Sequence, residues 1–132
     1  MYLRNAVNIR QFVLLAFFSL SLYNASDAAD PSGKWRGRWS SQATGHSGVL
    51  RARIRQVDAT TYRALFSGRF ATVIPFVYPA KLTRVPGTYS QFSSSTWFPG
   101  LGEYRMNATV TPNTFDAVFR GRSDSGRFQM SR

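Results

Sequence analysis

From residue 33 to residue 132, apolar and polar residues alternate with a period of two, and turn-forming residues interrupt the alternation at short intervals. A period of two places successive side chains on opposite faces of an extended strand, so the chain can bury one face of a sheet but not one face of a helix. The segment 33–41 sets Trp35, Gly37 and Trp39 against Lys34, Arg36 and Arg38. After the turn-like Thr44-Gly45-His46-Ser47-Gly48, a second segment (49–58) sets Leu50, Ala52 and Ile54 against Arg51, Arg53 and Arg55. Tyr62, Ala64, Phe66, Gly68 and Phe70 then oppose Arg63, Ser67 and Arg69. The segment 72–84 is more apolar and carries Pro75 and Pro79. Proline has no N–H to give to a ladder, which predicts a bent, bulged or weakly paired strand there.

A Ser-rich strand is expected over 89–98, and three more alternating segments end the chain around Tyr104–Val110, Phe115–Gly121 and Gly126–Arg132. Eight short strands joined by tight turns such as Pro86-Gly87, Pro99-Gly100 and Ser123-Asp124-Ser125-Gly126 favour pairing between neighbours in sequence. An eight-stranded antiparallel meander can close on itself and so remove its exposed edges. The expected fold is therefore all-β, an eight-stranded antiparallel up-and-down barrel forming a single domain over residues 29–132.

The N-terminus reads as an export signal. Arg4 and Arg10 provide a positive start, Phe12–Leu22 an 11-residue apolar run, and Ser26-Asp27-Ala28 a small-x-small site, with cleavage expected after Ala28. A membrane-spanning helix needs about 20 apolar residues, so a retained anchor is the weaker reading. The expected location is outside the cytoplasm, periplasmic or secreted. The chain has no cysteine, which excludes disulfides, thiol catalysis, Cys-based zinc sites and a lipoprotein anchor.

The full chain carries 17 Lys and Arg against 6 Asp and Glu; removal of residues 1–28 takes two basic residues and one acid, leaving a net charge of +10. A strongly basic exported protein is drawn to polyanions such as lipid headgroups or anionic wall polymers. It could equally carry its charge only to stay soluble. Arg36 and Arg38 on the first strand and Arg51, Arg53 and Arg55 on the second are the candidate anion-binding residues, since the guanidinium fork matches phosphate and carboxylate. Arg63 and Arg69 on the third strand continue these rows, and because the first and last strands of a closed meander are neighbours, Arg120, Arg122 and Arg127 would extend them into one basic belt. Aromatic residues do not interleave with the arginines on that face, which speaks against nucleic acid. An inverted, bilayer-spanning barrel would enclose the Arg rows in a narrow lumen with few acids, an expensive burial.

The inward-facing set is rich in rings. Trp35, Trp39, Phe66, Tyr104 and Phe119 would line any space left for a small apolar or amphipathic ligand. Eight strands leave an interior just wide enough for side chains to fill, so a plain packed core is the competing reading. His46, the one histidine, lies between Gly45 and Ser47-Gly48. It is either a ligand contact at the barrel mouth or part of an ordinary hairpin loop. One histidine and scattered single carboxylates predict neither a metal site nor a catalytic constellation. No cofactor is implied, and the chain reads as a non-enzymatic binding protein.

Gly33-Lys34-Trp35 at the start of the first strand resembles the Gly-x-Trp opening of the lipocalins and avidins, the calycin-type barrels. The resemblance implies an exported, ligand-binding barrel in which a basic residue near the last strand packs over that tryptophan at the closed end. Arg127 or Arg132 is available for that place. The chain is also similar to small exported bacterial proteins whose final strand reads Gly-x-Phe-x-aliphatic-x-Arg.

Overall fold

A computed structural model describes residues 28–71 and 73–132. The export segment read at residues 1–28 lies, except for Ala28, outside the described residues. Eight strands follow in order: β1 (Gly33–Ser41), β2 (Ser47–Gln56), β3 (Thr61–Phe70), β4 (Ile74–Arg84), β5 (Gln91–Phe98), β6 (Gly102–Val110), β7 (Thr114–Arg120) and β8 (Ser125–Ser131). Each pairs antiparallel with its neighbour in sequence, and β1 pairs with β8 to close the barrel. The meander expected from the short turns is the observed topology.

The alternation decides what faces inward. Trp35, Trp39, Leu50, Ile54, Tyr62, Phe66, Leu82, Phe92, Met106, Phe115 and Phe128 are all buried, as are Ala52, Ala64 and Ala108 in the same inward rows, while the arginines and lysines that alternate with them face solvent. The Arg rows are therefore outside, the reverse of the polar-in arrangement of a bilayer-spanning barrel. Among the described residues no helix is long and apolar enough to cross a membrane.

Closure at the β1–β8 junction depends on small residues. A Cβ on Gly37 would overlap the carbonyl oxygen of Gln129, and one on Gly126 would overlap that of Ser40. Gly37 breaks the inward row of tryptophans because the neighbouring backbone comes too close for any side chain.

The two ends differ. At the end where β1 begins, the segment 29–32 crosses beneath the core. Pro31 is fully buried, and its carbonyl accepts a hydrogen bond from Trp35 Nε1 at 2.8 Å. Arg132 lies over the Trp35 ring, 4.1 Å from its centroid. Its guanidinium donates to the carbonyls of Pro112 (2.9 Å), Asp30 (2.8 Å) and Ser32. Of the two arginines available for this place, Arg132 takes it; Arg127 faces solvent on β8. Arg84 repeats the device, lying 4.7 Å from the Phe92 ring and donating to Ala29 O at 2.6 Å and to Tyr89 O.

The other end is the mouth, where the rims are aromatic. Trp39 Nε1 donates to Arg69 O at 3.2 Å, and its ring meets Phe70 and Phe76. Ser41 Oγ donates to Asp124 at 2.6 Å, tying the β1–β2 hairpin to the β7–β8 turn.

One junction is weak. The β3–β4 ladder runs from Thr61↔Thr83 to Phe70↔Ile74, but β4 and β5 are in register only at Thr83↔Ser93 and Arg84↔Phe92. Toward the mouth Pro79 lacks the N–H that a ladder would use, and the Thr96 hydroxyl donates to its carbonyl at 2.9 Å instead. Two buried hydroxyls, of Ser94 on β5 and Tyr78 on β4, have no hydrogen-bond partner.

Candidate functional site

The residues expected to line a ligand space are the core itself. Trp35, Trp39, Phe66 and Phe119 are buried, with Phe66 wholly inaccessible. Phe66 meets Tyr78, Phe115 and Phe128 with ring centroids 5.0–5.9 Å apart. Phe128 in turn meets Phe119 at 5.3 Å, and Trp35 meets Phe115 at 5.8 Å. Rings at these distances are in mutual van der Waals contact. The rings expected to line a ligand space thus pack against one another. Tyr104 differs, being half-buried at the mouth beside Phe98 (5.6 Å) and Phe119 (6.4 Å). Burial, and secondarily the Asp124 carboxylate, push its hydroxyl above the ordinary tyrosine value.

His46 lies on the exposed β1–β2 loop, with its ring edge against Phe70 at 4.9 Å. Its backbone N–H turns onto Thr44 Oγ1 at 3.3 Å and its carbonyl accepts from Ser41 N at 2.8 Å. These are hairpin-loop contacts, and the histidine is at the mouth as expected, but it packs on the rim rather than joining the buried rings.

The outer wall is where the structure assembles charge. Antiparallel register sets Arg36 opposite Arg51 and Lys34 opposite Arg53. Arg55 faces Arg63, and Arg63 faces Lys81. Arg38 lies opposite Val49, one step nearer the mouth. Directly opposed side chains on one sheet face have Cβ atoms about 4.5–5.5 Å apart, and like charges so placed repel. No acidic residue occurs anywhere on β1–β4, which carry ten basic ones. The acids sit elsewhere. Glu103 on β6 accepts from Ser95 Oγ at 2.6 Å and pairs with Arg105 at 3.2 Å, the one ion pair among the described residues. The Ser95 hydroxyl first, then Arg105, hold its carboxyl below the ordinary value.

The β1–β8 pairing brings Ser40 opposite Arg127 and Arg38 opposite Gln129, so only Arg127, diagonal to Arg38, adds a basic side chain from β8. Arg120 lies opposite Arg105 on the far side.

Over the weak β4–β5 junction this wall is concave. A groove of about 600 Å³ is lined by Arg53, Arg55, Arg63 and Lys81 and floored by Leu65, Pro79 and Trp97. The other recesses described also open on the outside: over β5–β8, over β4–β6, and at the Arg120–Ser125 rim. Lys81, Leu65 and Trp97 escape a reading based on the arginine rows alone. The signal for Trp97 is its parity, since it is out of phase with Phe92 and Phe98 and must face outward. Its place beside Arg53 and Arg63 follows only from the register of β2–β4 and the missing pairs between β4 and β5. Among the described residues no three of His, Asp and Glu come together. Compared with known proteins, the chain matches no family model and no curated sequence.

Proposed function

We propose that this protein is an exported, non-enzymatic binding protein that associates with an anionic component of the cell envelope through the outer wall of β1–β4. Lipid headgroups and anionic wall polymers share the chemistry that this wall recognises. The observation that carries the reading is the stacking of like charges across strands, Lys34 on Arg53, Arg36 on Arg51, and Arg55 on Arg63 on Lys81, with no acid on those strands. Such pairs cost stability in the free protein, and a phosphate or carboxylate laid between them relieves the repulsion through charge-assisted, forked hydrogen bonds. Solubility alone is served as well by charges of both signs interspersed. A lipocalin-like role toward a small apolar ligand has its available surface at the mouth, on the half-buried Phe76, Phe98 and Tyr104.

Binding to long-chain polyphosphate and to phosphatidylglycerol vesicles, followed by sedimentation, tests the reading. Affinity is expected to fall at least tenfold as salt rises from about 50 to about 500 mM. Arg51→Ser, Arg53→Ser and Arg55→Ser should each weaken it by about fivefold at low salt. Absence of binding to both probes at low salt, or binding indifferent to salt, overturns it.

A further inference from the structure

The basic wall is interrupted by an apolar strip that no soluble polyanion would use. Trp97 is 68% exposed, Val77 57% and Leu65 48%. Register makes them one patch: Leu65 lies opposite Pro79, Val77 opposite Ser67 two residues on, and Trp97 lies across the β4–β5 junction in the same groove as Leu65 and Pro79. Toward the mouth the exposed apolar surface resumes at the β3–β4 turn with Val73 (77%) and Ile74 (56%). The row Arg55–Arg63–Lys81 runs parallel to this strip, two residues nearer the closed end, about 7 Å away along the strands.

Resting on the reading above, we infer that the anionic component is a lipid bilayer, and that the barrel docks on it side-on through the outer face of β3–β5. A bilayer interface satisfies both halves of this surface. Tryptophan sits at headgroup level, where an apolar ring body and a polar N–H are both accommodated. Long basic side chains lay their stems along apolar surface and carry their charge into the phosphate layer. Exposed apolar residues beside them enter the acyl boundary, and the combined apolar and electrostatic terms set the affinity. A wall polymer engages the arginines and leaves Trp97, Leu65 and Val77 in water. Charge complementarity thus selects an anionic surface, and the strip embedded in the charge selects a lipid one.

The tryptophans supply the measurement. Trp35 and Trp39 are buried at 2% and 5% exposure, so a change in emission on binding reports Trp97. Phosphatidylglycerol vesicles are expected to shift the emission to the blue, and phosphatidylcholine vesicles and polyphosphate are not. Trp97→Ser is expected to weaken vesicle binding roughly tenfold while leaving polyphosphate binding unchanged. Arg55→Ser combined with Arg63→Ser should weaken both, by about fivefold per arginine. Wild type and variants are compared as residues 29–132, the span of the closed barrel, so that the apolar run 12–22 adds no bilayer affinity of its own. If vesicles and polyphosphate bind alike, with no blue shift and no effect of Trp97→Ser, the bilayer inference falls and the polyanion reading stands. Binding to phosphatidylcholine as tight as to phosphatidylglycerol overturns the role of the arginines, and binding to none of the probes overturns both.

Discussion

Tyr78 carries an unresolved cost. Its hydroxyl is buried without a hydrogen-bond partner, the nearby Thr96 hydroxyl being turned onto Pro79 O, and burial, followed by the neighbouring Tyr104, pushes it up to about 12. The ring is needed, since it packs against Phe66, Phe98 and Phe128; the oxygen is not. Tyr78→Phe is expected to stabilise the protein by about 1 kcal/mol, measured by urea denaturation at neutral pH. Because the folded protein holds the phenol proton more tightly than the unfolded chain, this group's contribution is fully present below about pH 10 and is lost as pH rises toward 12. The variant should lack that part of the alkaline destabilisation; an unchanged alkaline limb would show that other groups cause it. The residue scale also shows what was legible early. A basic residue of the last strand over Trp35 was expected only through the resemblance of Gly33-Lys34-Trp35 to the calycin-type opening. The choice of Arg132 over Arg127 was not legible, because it depends on which one reaches the carbonyls of Asp30, Ser32 and Pro112.

At the level of elements, strand existence and facing followed from the alternation, and the observed strands begin and end within about two residues of the expected ones. The prolines of β4 pointed to a weakly paired strand, but not to which side was weak. The ladder to β3 continues past both Pro75 and Pro79, and the loss falls on β5. Rings and glycines are also matched between strands in a way the linear pattern hides. An ideal Cβ on Gly48 would come within 2.7 Å of Trp39, on Gly68 within 2.8 Å of Phe76, and on Gly126 within 2.6 Å of Phe119. Each glycine leaves room for a ring from a neighbouring strand, which then covers its backbone, the same complementarity that designed sheets use. The β4–β5 junction should open first. Amide exchange is expected to be faster for residues 94–98 than for the fully paired β1–β2 ladder, and Thr96→Val, which removes the hydroxyl bond to Pro79, should raise it further. Uniform protection around the barrel would contradict a weak junction.

Across the whole molecule the charge is divided: β1–β4 carry ten basic residues and no acid, while the strand acids Glu103 and Asp116 lie on β6 and β7. Self-repulsion on one wall lowers the stability of the free barrel, and mobile ions screen it. Added salt is therefore expected to raise the urea midpoint, with Lys81→Ser reproducing part of the gain at low salt; a midpoint that falls with salt would show that the wall is not under repulsion. The sequence by itself determined the all-β class, the strand count, the inward and outward faces and the basic character, because a period of two is a local property that every strand repeats. It did not decide whether the inward rings enclose a ligand or one another, since that depends on barrel width and on contacts between strands far apart in the chain. Nor did it decide the groove. Arg53, Arg63, Lys81, Leu65 and Trp97 come from four strands, and only the register and the missing β4–β5 pairs set them side by side. Alternation is written along one strand, whereas the neighbours of a side chain across strands are chosen by closure of the whole sheet.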